Sequence, residues 1–198
     1  ETQEFIGVGA GETVAEGICR GLQRCLDEVL VTRREHPLSI VSRVQLGTVD
    51  DRHCSYYLQA LTSMKGEPSI AMGEEVCGFP VMWVGMRDGW YGHAGLNVTL
   101  ALRKALQQAL LAAQNQSDGL HSQALAFSSV HLEERLPLRF VEIPACEATS
   151  QHEVLQSALQ VLNSNSTRLL ALHLAPEPFL KEEIAGVFGV VLREEESR

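Results

Sequence analysis

The sequence predicts an α+β fold made of two similar halves, with helices packed on a mainly antiparallel sheet. Three observations carry that prediction. Nine small or apolar positions, Thr13, Val14, Gly17, Ile18, Gly21, Leu22, Cys25, Leu26 and Val29, recur 84 positions later as Asn97, Val98, Ala101, Leu102, Ala105, Leu106, Ala109, Leu110 and Ala113. Each copy follows an Ala-Gly step, Ala10-Gly11 and Ala94-Gly95. After each copy the same order of patterns returns: helix, strand, helix, strand, strand. A chain of 198 residues with 45% hydrophobic content is long and apolar enough for one sizeable core. A single domain over 1–198 is therefore expected, with pseudo-symmetric halves at about 1–88 and 89–198. Because the chain opens at Glu1 and not at Met, it is read as a piece of a longer or processed protein.

The elements follow from local chemistry. Thr13 and Glu16 form a capping box ahead of Ile18, Leu22, Leu26 and Val29 at helical spacing, so a helix should run to about Arg33 and stop before Pro37. A strand over Leu38 to Val44 comes next, then a shorter helix from Asp50 or Asp51 to Gly66. Pro68 to Met72 and the apolar run Phe79 to Met86 read as strands, the second of the buried kind. Asn97 caps the second long helix; a strand over Leu138–Ile143, a helix over Gln151–Leu162 and strands over Arg168–Leu174 and Val187–Arg193 complete the half. The insertion from Asn115 to Arg135 holds an extra edge strand within Ala124 to Val130.

Small residues at 17, 21 and 25, and at 101, 105 and 109, form a stripe along one face of each long helix. Two interior glycines cost the first helix about 2 kcal/mol relative to alanine, which close approach of another backbone would offset. Two packings offer it: the two long helices against each other across a pseudo-twofold axis over a shared sheet, or each helix tight on its own sheet.

Composition excludes several functions. The formal charge is −9 and basic residues are scattered, so no stripe tracks a phosphate backbone and nucleic acid is excluded as a partner. Five cysteines without a Cys-x-x-Cys pair argue against a disulfide framework or zinc site and fit a reducing cytoplasm. No apolar run is long enough to span a bilayer as a helix, so no membrane association is expected.

Phe5 to Gly11, glycine-rich and ahead of a helix, invites a dinucleotide-binding reading, yet the third glycine position holds Glu12 counting from Gly7 and Val14 counting from Gly9. A turn that brings the chain close to the sheet is the better reading. His131-Leu132-Glu133 lacks the Cys pair of a zinc deaminase, and His36, His121, His131 and His152 sit in polar surroundings that keep them solvated. No metal ligand set is expected. Met86 to Gly95 is the most unusual segment. Arg87, Asp88, Trp90, Tyr91 and His93 in a glycine-rich loop suit a binding surface; the plainer alternative has Trp90 and Tyr91 covering the sheet end.

Gly9-Ala10-Gly11-Glu12-Thr13 with its helix resembles the start of the YcaO-like fold. Cys77-Gly78-Phe79-Pro80-Val81-Met82-Trp83 looks like that family's Gly-Ile-Pro-Val strand, Gly92 to Gln108 is similar to its second glycine turn and Ala-Leu helix, and Leu169 to Leu192 resembles its closing segment. The resemblance implies enzymes that use ATP and magnesium to activate a peptide amide for azoline formation, with carboxylates on the two long helices at the nucleotide site. Aligned by that resemblance, the family's Glu-x-x-Glu falls on Arg24 and Asp27, its next Arg on Glu28, and a second-helix Glu on Gln108. Arginine contacts phosphate but does not hold a metal. The resemblance thus implies a degenerate YcaO-like domain of the kind in thiazole-containing bacteriocin maturation proteins. Its role is a non-catalytic scaffold or docking module for a precursor peptide or other maturation proteins, with no cofactor. The alternatives are an ATP- and magnesium-dependent cyclodehydratase, with Glu12, Glu16, Asp88 or Glu142 rebuilding the site, and a peptide or small-molecule binding module around Trp90.

Overall fold

A computed structural model describes residues 4–32, 40–87, 89–117, 126–127, 136–146, 150–174 and 186–194. They fold as strand β1 (Glu4–Gly11), helix α1 (Val14–Thr32), β2 (Ile40–Val49), α2 (Arg52–Lys65), β3 (Ser69–Gly73), β4 (Val81–Met86), β5 (Gly89–Ala94), α3 (Val98–Ser117), β6 (Ala126–Phe127), β7 (Leu138–Ile143), α4 (Gln151–Ser164), β8 (Thr167–Leu174) and β9 (Gly186–Glu194). The chain groups into two compact units. One comprises 1–33, 76–79 and 149–198, and the other 34–75 and 80–148.

The first unit is an antiparallel sheet in the order β1-β9-β8 with α1 and α4 on it. Thr13 caps α1, its Oγ1 accepting from Glu16 N at 3.1 Å, and Ser150 with Glu153 forms a capping box for α4. Gly7, Gly9 and Gly11 occupy one face of β1 and press directly on α1. A methyl group on Gly9 would stand 2.1 Å from Gly17 O and 2.2 Å from Gly21 N; one on Gly7 would stand 2.1 Å from Gly21 O. On the adjoining strand, the Phe188 ring and the Val190 methyls fill the space over Gly17 and Gly21, at 2.6 Å and 2.5 Å from where a Cβ would lie. The stripe of α1 therefore packs on β1 and β9, which is the helix-on-sheet alternative. A shared sheet is corrected too, because the described strands form two sheets.

The second unit is a six-stranded sheet in the order β6-β5-β4-β3-β2-β7, antiparallel except for the parallel β2–β7 pair. Asp51 caps α2, Gly66 at φ 91° ends it, and Asn97 Oδ1 accepts from Leu100 N at 2.8 Å to start α3. Val84, Met82, Tyr91, Leu102, Leu106 and Ile143 lie in its core. The duplication extends to atomic contacts. A Cβ on Gly11 would meet Gly17 N at 2.7 Å, and one on the equivalent Gly95 would meet Ala101 N, the equivalent of Gly17, at 2.3 Å. Beyond that contact the copies diverge: Tyr91 and His93 occupy the positions of Gly7 and Gly9, and alanines replace the helix glycines.

Most expected elements are present within a few residues. Two strands were not expected, β1 and β5, because both are glycine-rich and each runs into a long helix. The expected edge strand survives as β6, with 124–125 and 128–130 outside the described residues.

Replacing Gly21 with Leu should destabilise the protein by about 3 kcal/mol or more, since the side chain has no space between α1 and β9. Exposed Glu28→Ala on the same helix should change stability by no more than about 0.5 kcal/mol. Urea denaturation checks both, and equal tolerance would remove the close-packing account.

Candidate functional site

Arg24 and Asp27 lie about one turn apart on α1 in the first unit, and Gln108 lies on α3 in the second. Arg24 is exposed, whereas Asp27 is partly buried and accepts a hydrogen bond from Gln23 Nε2 at 3.3 Å. Gln108 is partly buried, and its Oε1 accepts no hydrogen bond among the described residues. Of the carboxylates that would rebuild a metal site, Glu16 is engaged with the Glu12 amide at 2.8 Å and with Arg20 at 2.6 Å. Glu142 accepts from Thr48 N at 2.6 Å and fills the space over Gly47. Asp88 lies outside the described residues. So do His36, His121 and His131, while His152 is exposed on α4 beside Gln156.

The segment around Trp90 is a strand and not a loop, which corrects the expectation. Trp90, Tyr91 and His93 are buried in β5, paired along their length with β4. Trp90 lies over Gly85 and Trp83 over Gly92, each ring using the space that a cross-strand side chain would take: a Cβ on Gly92 would stand 2.2 Å from the Trp83 ring. Burial, with Lys104 nearby, pushes the His93 pKa down to about 4, so its ring is neutral at pH 7. Arg87 stands in the β4–β5 turn, the part of the segment left at the strand ends.

A polar centre that the motifs did not single out lies in the second unit. Asp51 is fully buried, and its Oδ1 accepts from Cys54 N at 2.9 Å and Arg103 Nε at 3.2 Å. Its Oδ2 pairs with Arg103 Nη2 and receives the Cys146 amide at 3.5 Å. Burial alone would raise this carboxyl, but the Arg103 guanidinium and the Cys54 amide outweigh it and hold the pKa at about 2. The same carboxylate raises the Arg103 pKa against its own burial. The sequence carries half of the signal. The aspartate that caps α2 is visible in the sequence, but Arg103 stands beside exposed Lys104 on an amphipathic helix and nothing local marks it as the partner.

Nearby chemistry is muted. Burial pushes the Cys54 thiol up to about 12 and the Cys19 and Cys25 thiols to about 11, so all three are protonated at neutral pH. The second unit also has a cleft of about 600 Å³ where β2, the start of β3 and α2 diverge, lined by Val44, Leu46, Leu58, Ile70, Arg43 and Glu67 among others. None of the residues singled out from sequence lines it.

Among the described residues, two sheets and four helices, with a glycine-rich strand running into each long helix, form an α+β fold like that of solved heterocyclases. The chain is similar to the solved heterocyclase TruD, with a TM-score of 0.61, 16% identity, and coverage of 94% of this chain and 28% of that one. It is likewise similar to a heterocyclase in complex with substrate and cofactor, with a TM-score of 0.61, 15% identity, and coverage of 94% and 27%. At these identities the likeness establishes the fold, and the chain spans little more than a quarter of either heterocyclase. No protein-family model and no curated protein matches the chain.

The Asp51–Arg103 pair sets an acid limit on stability. A carboxyl lowered to about 2 contributes fully above its ordinary value near 4, and that contribution, about 2 kcal/mol, is lost as pH falls through 2. Asp51→Asn, which leaves Arg103 partly buried without its counter-charge, should cost about 3 kcal/mol at pH 7 and flatten the loss between pH 4 and 2. Thermal melts across that range check this; an unchanged acid profile in the variant would contradict it.

Proposed function

We propose that this chain is a non-catalytic YcaO-like scaffold or docking domain for maturation of a thiazole- or oxazole-containing peptide of the bacteriocin type. It works in the cytoplasm with the precursor peptide or other maturation proteins as partners, and without a cofactor. The observation that carries the reading is the replacement of carboxylates at the positions that the YcaO resemblance assigns to nucleotide and metal. Arg24 presents a cation to solvent where a metal ligand would stand, and Gln108 offers a neutral amide. Asp27 is the one acid among them. Magnesium beside phosphates usually takes one or two carboxylates, and a guanidinium supplies none.

The engagement of Glu16 and Glu142 with backbone amides supports the same reading, because recruiting either to a metal would break a helix start or the β2–β7 join. Buried, protonated thiols at Cys19, Cys25 and Cys54 offer no nucleophile in their place.

Calorimetry of the 198-residue chain with ATP and magnesium tests the reading. No magnesium-dependent binding is expected at sub-millimolar nucleotide. Binding in that range, lost on chelating the metal, would support the cyclodehydratase alternative.

A further inference from the structure

We infer that the outer face of the β1-β9-β8 sheet is a self-association surface that stacks face to face on the same sheet of a second copy. The inference rests on this sheet alone and not on the proposed function. The register places nine residues on the face turned away from α1: Ile6, Val191 and Leu170 in one row, Val8, Gly189 and Leu172 in the next, Ala10, Val187 and Leu174 in the third. All nine are apolar. Ile6 is 63% exposed, Val8 52%, Leu170 51%, Leu172 63% and Leu174 39%.

Such a face is costly in water. Its open apolar area is on the order of 600 Å², the upper end of what monomers leave uncovered. Two such faces in contact remove about 1,200 Å², the lower bound of specific, stable interfaces. In the middle row Gly189 is covered by the Leu174 side chain, 3.6 Å from where a Cβ would lie, so the apolar surface continues across it.

One end of the face is bounded by the row Glu4, Arg193 and Arg168, which ends the apolar rows and belongs to the polar rim of such a contact. Pairing of two β8 edges into one continuous sheet is the competing geometry. It leaves Ile6 and Val8, two strands away, still exposed, and so does not account for the patch.

Sedimentation velocity of the 198-residue chain over a concentration series tests this. A dimer is expected, and Leu172→Asp and Ile6→Asp should each weaken it at least about 100-fold, since each buries two uncompensated charges in the dimer. Leu111→Asp, at another exposed apolar residue that lies on α3, should leave it intact. Far-ultraviolet circular dichroism confirms that each variant is folded. A chain that stays monomeric at every concentration overturns the inference, as does a dimer that survives both face substitutions. Dissociation by Leu172→Asp alone would mark β8 edge pairing and also overturn it.

Discussion

The direct backbone contact between β1 and α1 is the constraint on which the first unit depends. Glycines alternate on the strand at 7, 9 and 11 and recur on the helix at 17 and 21, so carbonyl and amide groups of one element lie against the α-carbons of the other. Those glycines are individually unfavourable in a strand and a helix interior. They are offset because the shortened separation lets Phe188 and Val190 of β9 seat over the same helix face, with Leu22, Cys25 and Leu26 buried. Any Cβ on this contact would separate the layers and open the interior on both sides. The opposite face of the same strands carries nine apolar residues in three rows.

The second unit shows what happens when the same plan is filled differently. Gly95 meets Ala101 as Gly11 meets Gly17, but Tyr91 and His93 then stand where the first copy has glycine, and the helix stripe is alanine. Tyr91, Met82 and Val84 share the core there with Leu102 and Leu106 of α3. The Asp51–Arg103 pair joins the start of α2 to the middle of α3, a polar contact inside an otherwise apolar layer. Specificity of packing comes from shape in one unit and partly from charge in the other.

Helix starts were legible because capping is local: Thr13, Asp51, Asn97 and Ser150 each act through an amide within three residues. The strand at Leu138–Ile143 was legible for its apolar content between Pro137 and Pro144. β1 and β5 were not, since glycine and aromatic residues in a row imitate a loop, and only the partners β9 and β4 make them strands. The candidate site was legible only by resemblance. Sequence alone reached neither the burial of His93 nor the pairing of Asp51 with Arg103 and Cys146, which lie 52 and 95 positions away. The functional reading draws on both levels: the frame of a heterocyclase-type fold is kept, while Arg24 and Gln108 stand where the resemblance expects acids.

Native-state hydrogen exchange tests the central claim most directly, because it reads the stability of each element without altering the sequence. If the glycine contact holds the first unit together, the amides of Gly17 to Cys25 and their partners in β9 should exchange only through the largest unfolding free energy in that unit, well above α4, which is less buried. Exchange of Gly17 to Cys25 by local opening, at or below the protection of α4, would contradict the account.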